Sequence, residues 1–170
     1  MTPDQSSANL LQSSQDHSGI LRLTLSDPDR RNALSEEMLA ALADAFDRVG
    51  DNPDVRVIIL AAAGPVFCAG HDLKQMTAAR QNADRGRAYF TKILTQCSRV
   101  MQKIVTCPKP VIAEVGGVAT AAGCQLVASC DLAVASDAAP FCTPGVHIGL
   151  SCSTPLVAVS RQLPNNHATA

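Results

Sequence analysis

Polar residues dominate Met1 to Ser18, with no periodicity, and this stretch reads as a flexible tail. Alternation begins at Ile20-Leu21-Arg22-Leu23-Thr24-Leu25, which predicts a strand. Asp27-Pro28-Asp29-Arg30 predicts a turn. Ser35 has the chemistry of a helix N-cap, with Glu36 and Glu37 suited to a first turn. Met38, Leu39, Leu42, Ala45, Phe46 and Val49 then recur at helical spacing until Gly50, Asn52 and Pro53 stop the pattern. Val55 to Ala62 is β-branched and apolar, a strand expected to be buried on both faces. Gly64-Pro65 breaks it, and a short segment, Phe67 to Leu73, follows. Thr77 to Gly86 is polar and expected to be mobile. A long amphipathic helix is predicted through Tyr89, Phe90, Ile93, Leu94, Cys97, Val100, Met101, Ile104 and Val105, ended by Cys107-Pro108-Lys109-Pro110. Val111 to Val115 reads as a buried strand, Gly116-Gly117 as a turn, Ala121 to Ser129 as a helix and Leu132 to Ala135 as a strand. A loop around Pro144-Gly145 leads to a helix over Thr154 to Arg161. Strands alternating with helices imply parallel βαβ units with right-handed crossovers.

Composition narrows what such a fold can do. The chain has 170 residues, enough for one domain with a proper core. Hydrophobic residues are 46% and charged residues 17%, which excludes a wholly disordered chain. A net charge of −1, with 3% aromatics and no Trp, argues against nucleic-acid binding. Apolar runs such as Val57 to Ala63 fall well short of the roughly 18 residues that span a membrane. Met1 to Ser18 holds no Lys or Arg and no apolar core, so it matches neither a secretory signal nor an Arg-rich transit peptide. The default is a soluble, cytoplasmic protein, or a mitochondrial one if a transit peptide is missing. The seven cysteines are odd in number and form no CxxC pair. A disulfide framework or a zinc site is therefore not expected, and no metal or cofactor is implied.

Two segments share one design. Gly64 to Leu73 and Val115 to Leu126 each run from a buried strand through a glycine-containing turn into a helix start. Helix starts carry N–H groups without intrahelical acceptors and a partial positive charge. Two of them converging would form an oxyanion hole. Taken alone, such turns are more often simple connections.

Their combination is more specific. Arg31-Asn32-Ala33-Leu34-Ser35, Phe67-Cys68-Ala69-Gly70-His71-Asp72-Leu73-Lys74, Ala121-Ala122-Gly123-Cys124-Gln125-Leu126, Cys130-Asp131-Leu132-Ala133-Val134-Ala135 and Phe141-Cys142-Thr143-Pro144-Gly145 occur in this order. The series resembles the enoyl-CoA hydratase/isomerase (crotonase) superfamily over roughly residues 20–164, and within it the enoyl-CoA hydratase domain-containing subgroup. The resemblance implies an α/β fold with the ClpP/crotonase ββα-repeat core over residues 19–170, following a tail at 1–18. It implies acyl-CoA thioesters as substrate or ligand, in fatty-acid metabolism. It places the two amides that hold the thioester oxygen at His71 and Ala122, with Ala33 near the CoA nucleotide and Asp72, Leu73 and Lys74 lining the acyl-CoA site. The intact family member is expected to be a homotrimer or hexamer.

The acid and base positions depart from the pattern. Hydratases of this family hold a water between two glutamates, and those motif positions are Gln125 and Gly145 here. Gln can orient a water but neither gives nor takes a proton at neutral pH. Hydratase or isomerase activity is therefore in doubt, and the alternative is a non-catalytic acyl-CoA-binding or subunit-interaction protein on the same fold. His147 could stand in as a base, with Ser151, Cys152 and Ser153 close behind, although a His beside a Val-rich turn more often serves packing or capping. The lesser alternative for the His71 ring is a plain surface imidazole. Asp131 reads as a structural hydrogen-bonding residue, and Glu114 as one half of an ion pair. Cys68 and Cys124 adjoin the proposed hole but also fit as apolar turn residues, and no GxSxG elbow suggests a serine hydrolase. Family members continue beyond the region where this sequence stops. The C-terminal part of the fold is therefore expected to be incomplete, with apolar surface exposed where that part would pack.

Overall fold

The computed structural model describes residues 10–149 and 152–164. Eight strands and five α-helices follow one another: β1 (Leu11–Gln15), β2 (Ile20–Leu25), α1 (Glu36–Gly50), β3 (Val57–Ala62), β4 (Val66–Cys68), α2 (Leu73–Ala79), α3 (Arg87–Val105), β5 (Val111–Val115), β6 (Val118–Thr120), α4 (Ala122–Ala128), β7 (Leu132–Ala135), β8 (Phe141–Cys142) and α5 (Ser153–Gln162). From β3 onward the order is strand, strand, helix, with a second helix, α3, in the first unit. Each such unit gives its first strand to a five-stranded sheet, β1-β2-β3-β5-β7, and its second to a three-stranded sheet, β4-β6-β8. All neighbours are parallel except β1, which runs antiparallel to β2.

The core lies between the large sheet and the helices. Leu21, Leu23 and Leu25 of β2 point inward, as their alternation demands, beside Ile58 and Leu60 of β3. Met38, Leu42 and Phe46 of α1 and Ile93, Val100 and Ile104 of α3 close over them. Each large side chain buried this way stabilises the fold by roughly 1.5–3 kcal/mol. Ser35 caps α1 as its chemistry predicts, its Oγ accepting from the Met38 N–H at 3.2 Å. No helix among the described residues is long and apolar enough to cross a membrane.

Several expectations need correction. Residues 11–15 are no loose tail but form β1, paired in register with β2, Leu11 opposite Leu25; residues 1–9 lie outside the described residues. β3 is not buried on both faces, since Val57 and Ile59 are half-exposed. The reason is the ion pair on that face. Arg22, beside Ile59 in register, donates two 2.8 Å hydrogen bonds to Glu114 of β5. The polar stretch 77–86 is not without structure: Thr77 to Ala79 complete α2, and the rest is a chain of turns in which the Asp84 carboxylate accepts from Gly86 and Ala88 at 2.9 Å. Pro144 to Ile148 is a 3₁₀ helix, not an open loop.

Candidate active site

Parallel neighbours end at the same edge of a sheet, so β4, β6 and β8 deliver their following turns side by side. After β4 comes Ala69-Gly70-His71, after β6 Ala121-Ala122, after β8 Thr143-Pro144-Gly145. The first two turns touch. Gly70 has φ +86°, and a Cβ built on it would lie 3.1 Å from Thr120 O and from Ala121 Cβ, and 3.2 Å from Ala122 N. Only glycine permits both this conformation and this approach. Gly123 allows the same closeness one residue deeper: a Cβ there would lie 2.2 Å from Cys68 O. Thus α4 starts directly against the end of β4.

The second turn carries strain. Ala121 has φ 51° and ψ −120°, a region that residues with a Cβ rarely visit. It is held there from both sides, its N–H donating to Cys142 O at 2.9 Å and its C=O accepting from Gln125 N–H at 3.3 Å. Strained backbone that its surroundings over-determine gathers at functional sites. Among the described residues neither the His71 nor the Ala122 N–H donates a hydrogen bond. The structure therefore brings into contact the two turns that carry the amides picked out through the resemblance, both without an acceptor among the described residues.

The first turn is braced from the segment before α1. Arg31 O accepts from Ala69 N–H at 3.1 Å, and Leu34 N–H donates to Gly70 O at 2.8 Å. Asn32, to which the sequence reading gave no role, is 0% exposed and fully hydrogen-bonded. Its signal was present as an Asn inside a turn, the residue with a side chain that best tolerates left-handed backbone; both Arg31 (φ 56°) and Asn32 (φ 51°) adopt it. Asp72 is buried, and its Oδ1 caps α2 by accepting from Lys74 and Gln75 N–H at 2.8 and 3.2 Å, while Arg30 stands 3.6 Å from Oδ2. Its carboxylate is thus committed to the helix start. Gln75 ties α2 to its neighbours, donating to Glu37 and accepting from the Glu36 N–H and the Tyr89 hydroxyl.

The remaining candidates fall out as follows. Ala33 is buried beside this brace, whereas Leu73 and Lys74 are exposed. Gln125 is half-buried in the first turn of α4 and Gly145 is buried in the 3₁₀ turn after β8, so neither position offers a carboxylate. The His71 imidazole is mostly enclosed, not a surface ring. Its Nε2 is buried without a partner among the described residues, and burial lowers its pKa below the ordinary 6.5. His147 is exposed, and Ser151 lies outside the described residues. Asp131 is structural: its Oδ2 accepts from Val111 N–H at 2.8 Å and its own N–H donates to Val111 O. Glu114 is the ion-pair half expected, the Arg22 hydrogen bonds holding its carboxyl below the usual range. Burial pushes the Cys68 thiol up to about 12 and the Cys124 thiol up to about 11. Thiols so disfavoured as thiolates are poor nucleophiles at neutral pH. A hollow of about 500 Å³ between α4, β7, β8 and α5 is lined by Cys124, Val127, Leu132, Phe141, Val159 and Leu163 among others, and by neither His71 nor Ala122.

The chain is similar to known proteins in sequence and in fold. Residues 15–170 match the family described as enoyl-CoA hydratase/isomerase. Enoyl-CoA hydratase domain-containing protein 3, mitochondrial, of Rattus norvegicus is 51% identical over 158 residues, covering 93% of this chain and 51% of that protein. Delta(3,5)-Delta(2,4)-dienoyl-CoA isomerase, mitochondrial, of Homo sapiens is 30% identical over 168 residues, covering 95% and 50%. The chain spans about half the length of the curated relatives it matches. Among solved structures, an enoyl-CoA hydratase of Mycobacterium smegmatis superposes with a TM-score of 0.86 at 49% identity, covering 94% of this chain and 60% of that one. Human enoyl Coenzyme A hydratase domain-containing protein 3 gives a TM-score of 0.85 at 48% identity, covering 94% and 61%. The ββα order seen here is thus the crotonase fold, and a match that runs from residue 15 to the end makes this chain a member of the enoyl-CoA hydratase/isomerase family.

Proposed function

We propose that this chain binds acyl-CoA thioesters, within a protein of fatty-acid metabolism, and holds the thioester oxygen with the His71 and Ala122 amides. One observation carries the reading: Gly70 seats its turn on Ala121-Ala122, and both amides beside that contact lack an acceptor among the described residues. When a thioester enolises, or a nucleophile adds to its conjugated double bond, negative charge builds on the carbonyl oxygen. Pre-aimed donors there are worth ~2.7–4 kcal/mol each in the transition state. In this reading Ala33 adjoins the CoA nucleotide, and Leu73 and Lys74 flank the acyl-CoA from α2. Asp72 contributes its backbone, since its carboxylate caps the helix.

Polarising the thioester is only half of a hydratase. Proton transfer from a positioned side chain contributes about 10²–10⁴-fold, and Gln125 and Gly145 carry no group able to supply it. Hydration by this chain is accordingly slow, with Gln125 at most orienting water. The same two residues favour a second reading, a non-catalytic acyl-CoA-binding or subunit-interaction protein. The intact protein is expected to assemble as a trimer or hexamer. The relatives named as mitochondrial favour a mitochondrial setting over the cytoplasmic default.

The test is calorimetry of the purified chain with crotonyl-CoA and with free CoA. Tighter binding of the thioester is expected, with little hydration until Gln125→Glu and Gly145→Glu are combined. Equal affinity for the two ligands would refute the thioester site.

A further inference from the structure

We infer that Asn32 is a positioning residue for the His71 amide. It holds the Arg31–Leu34 segment in the conformation that turns the Gly70–His71 peptide N–H outward, toward a bound thioester oxygen. This rests on the acyl-CoA reading above and adds the device that aims one of its two donors.

The geometry is a frame with a single key. The Asn32 Oδ1 accepts from the Asp27 N–H at 2.8 Å, and its Nδ2 donates to Ala63 O at 2.9 Å and Val66 O at 2.7 Å. Those partners are the start of the turn, the residue after β3 and the first residue of β4. One side chain thereby pins the turn to both strands. The pinned turn then grips the residues after β4, through Ala69 N–H to Arg31 O and Leu34 N–H to Gly70 O. The second contact decides the orientation. No cis peptide bond is present among the described residues, and in a trans peptide the C=O and N–H point in opposite directions. With the Gly70 carbonyl drawn to Leu34, the His71 N–H must face away from the 31–34 segment. If the grip is lost, glycine's freedom lets this peptide rotate and present its carbonyl oxygen where the N–H had been. A carbonyl at that place repels a developing oxyanion.

No other side chain fits the key. The position needs one acceptor and two donors in a fully buried group on left-handed backbone. Asp keeps the size and the acceptor but sets a carboxylate oxygen against two carbonyls. Ala leaves all three partners unsatisfied, each an appreciable cost in a buried place.

The experiment compares acetoacetyl-CoA with free CoA on the wild-type chain and on Asn32→Asp, following thermal unfolding in parallel. Acetoacetyl-CoA is chosen because its enolate absorbs in the near ultraviolet and reports charge on the thioester oxygen. The variant is expected to lose about tenfold in its preference for the thioester, the size of one charge-assisted hydrogen bond, and to lose the enolate band. Its affinity for free CoA should hold. A folded variant that keeps the preference, or weakens on both ligands alike, overturns the proposal in favour of a purely structural role. Should the variant not fold, the wild-type amides answer by NMR. The Leu34 amide should exchange slowly, while the His71 amide should exchange fast and shift on adding acetoacetyl-CoA. A protected, unshifted His71 amide overturns the proposal. A wild-type chain that prefers neither ligand fails the acyl-CoA reading itself, a different result from a wild type whose preference survives in Asn32→Asp.

Discussion

The His71 residue joins two separate properties, an outward backbone amide and an enclosed side chain whose Nε2 has no partner among the described residues. Enclosure disfavours the imidazolium, so the folded-state pKa lies below 6.5. The unfolded chain, with His near 6.5, takes up a proton first as pH falls. Stability is therefore fully present above that value. It declines as pH drops through about 6.5 and on toward the lower folded-state value. His71→Asn removes this component. Thermal unfolding between neutral and mildly acidic pH should show a shallower decline in the variant than in the wild type, after subtraction of the shared slope from the carboxylates. Parallel curves would show that the ring is open to water in solution. Thioester binding should largely survive the substitution, because the oxygen is assigned to the amide.

At the scale of elements, the decisive contact is α4 against β4. A methyl group at position 123 would meet Cys68 O at 2.2 Å, a backbone atom that cannot turn aside. Gly123→Ala must push the helix start away from the strand end and should cost about 3 kcal/mol or more in urea unfolding. Gly116→Ala, with nothing within 4 Å of the new methyl, should stay within ~0.5 kcal/mol of wild type. Equal effects at both positions would mean the two elements are not in close contact. Such contacts mark what the sequence could not show. The long elements were legible because each carries its own periodicity: Ile20 to Leu25 by twos, Met38 to Val49 and Ile93 to Ile104 by turns of a helix. β6 and β8 span three and two residues, too few for a pattern; β6 exists because β4 offers it a parallel neighbour, and β8 because β6 does. β1 has one half-buried residue and four exposed, so its polar sequence hid a strand that pairing with β2 supports. The site was partly legible for the same reason. His71, Ala122, Gln125 and Gly145 stood out through motif order, while Asn32 acts through backbone groups at Asp27, Ala63 and Val66 whose proximity only the fold reveals.

One side of the molecule carries open strand edges among the described residues. β7 ends the large sheet and β8 the small one, so each presents an unpaired edge among the described residues. β7 is exposed along its full length, with Leu132 at 63% and Val134 at 65%, and Phe141 on β8 is 47% exposed. Leu156, Val157 and Leu163 on and after α5 add to this apolar surface, and the hollow of about 500 Å³ opens beside it. Exposed apolar side chains gathered around a hollow mark a surface for association, and a bare strand edge is a template for pairing with another chain. Leu132 and Val134 project from the same face two residues apart, so one pair of substitutions tests the edge. Wild-type chain should sediment with a mass that rises with concentration. Leu132→Lys combined with Val134→Thr should lower that dependence, because a charge on an edge strand opposes pairing. Neither residue supports the Gly70 or Ala121 turns, so preference for thioester over free CoA should be retained. Association that persists unchanged in the double variant would place the contact elsewhere on the surface. Loss of thioester preference together with association would instead show that assembly across this edge completes the binding site.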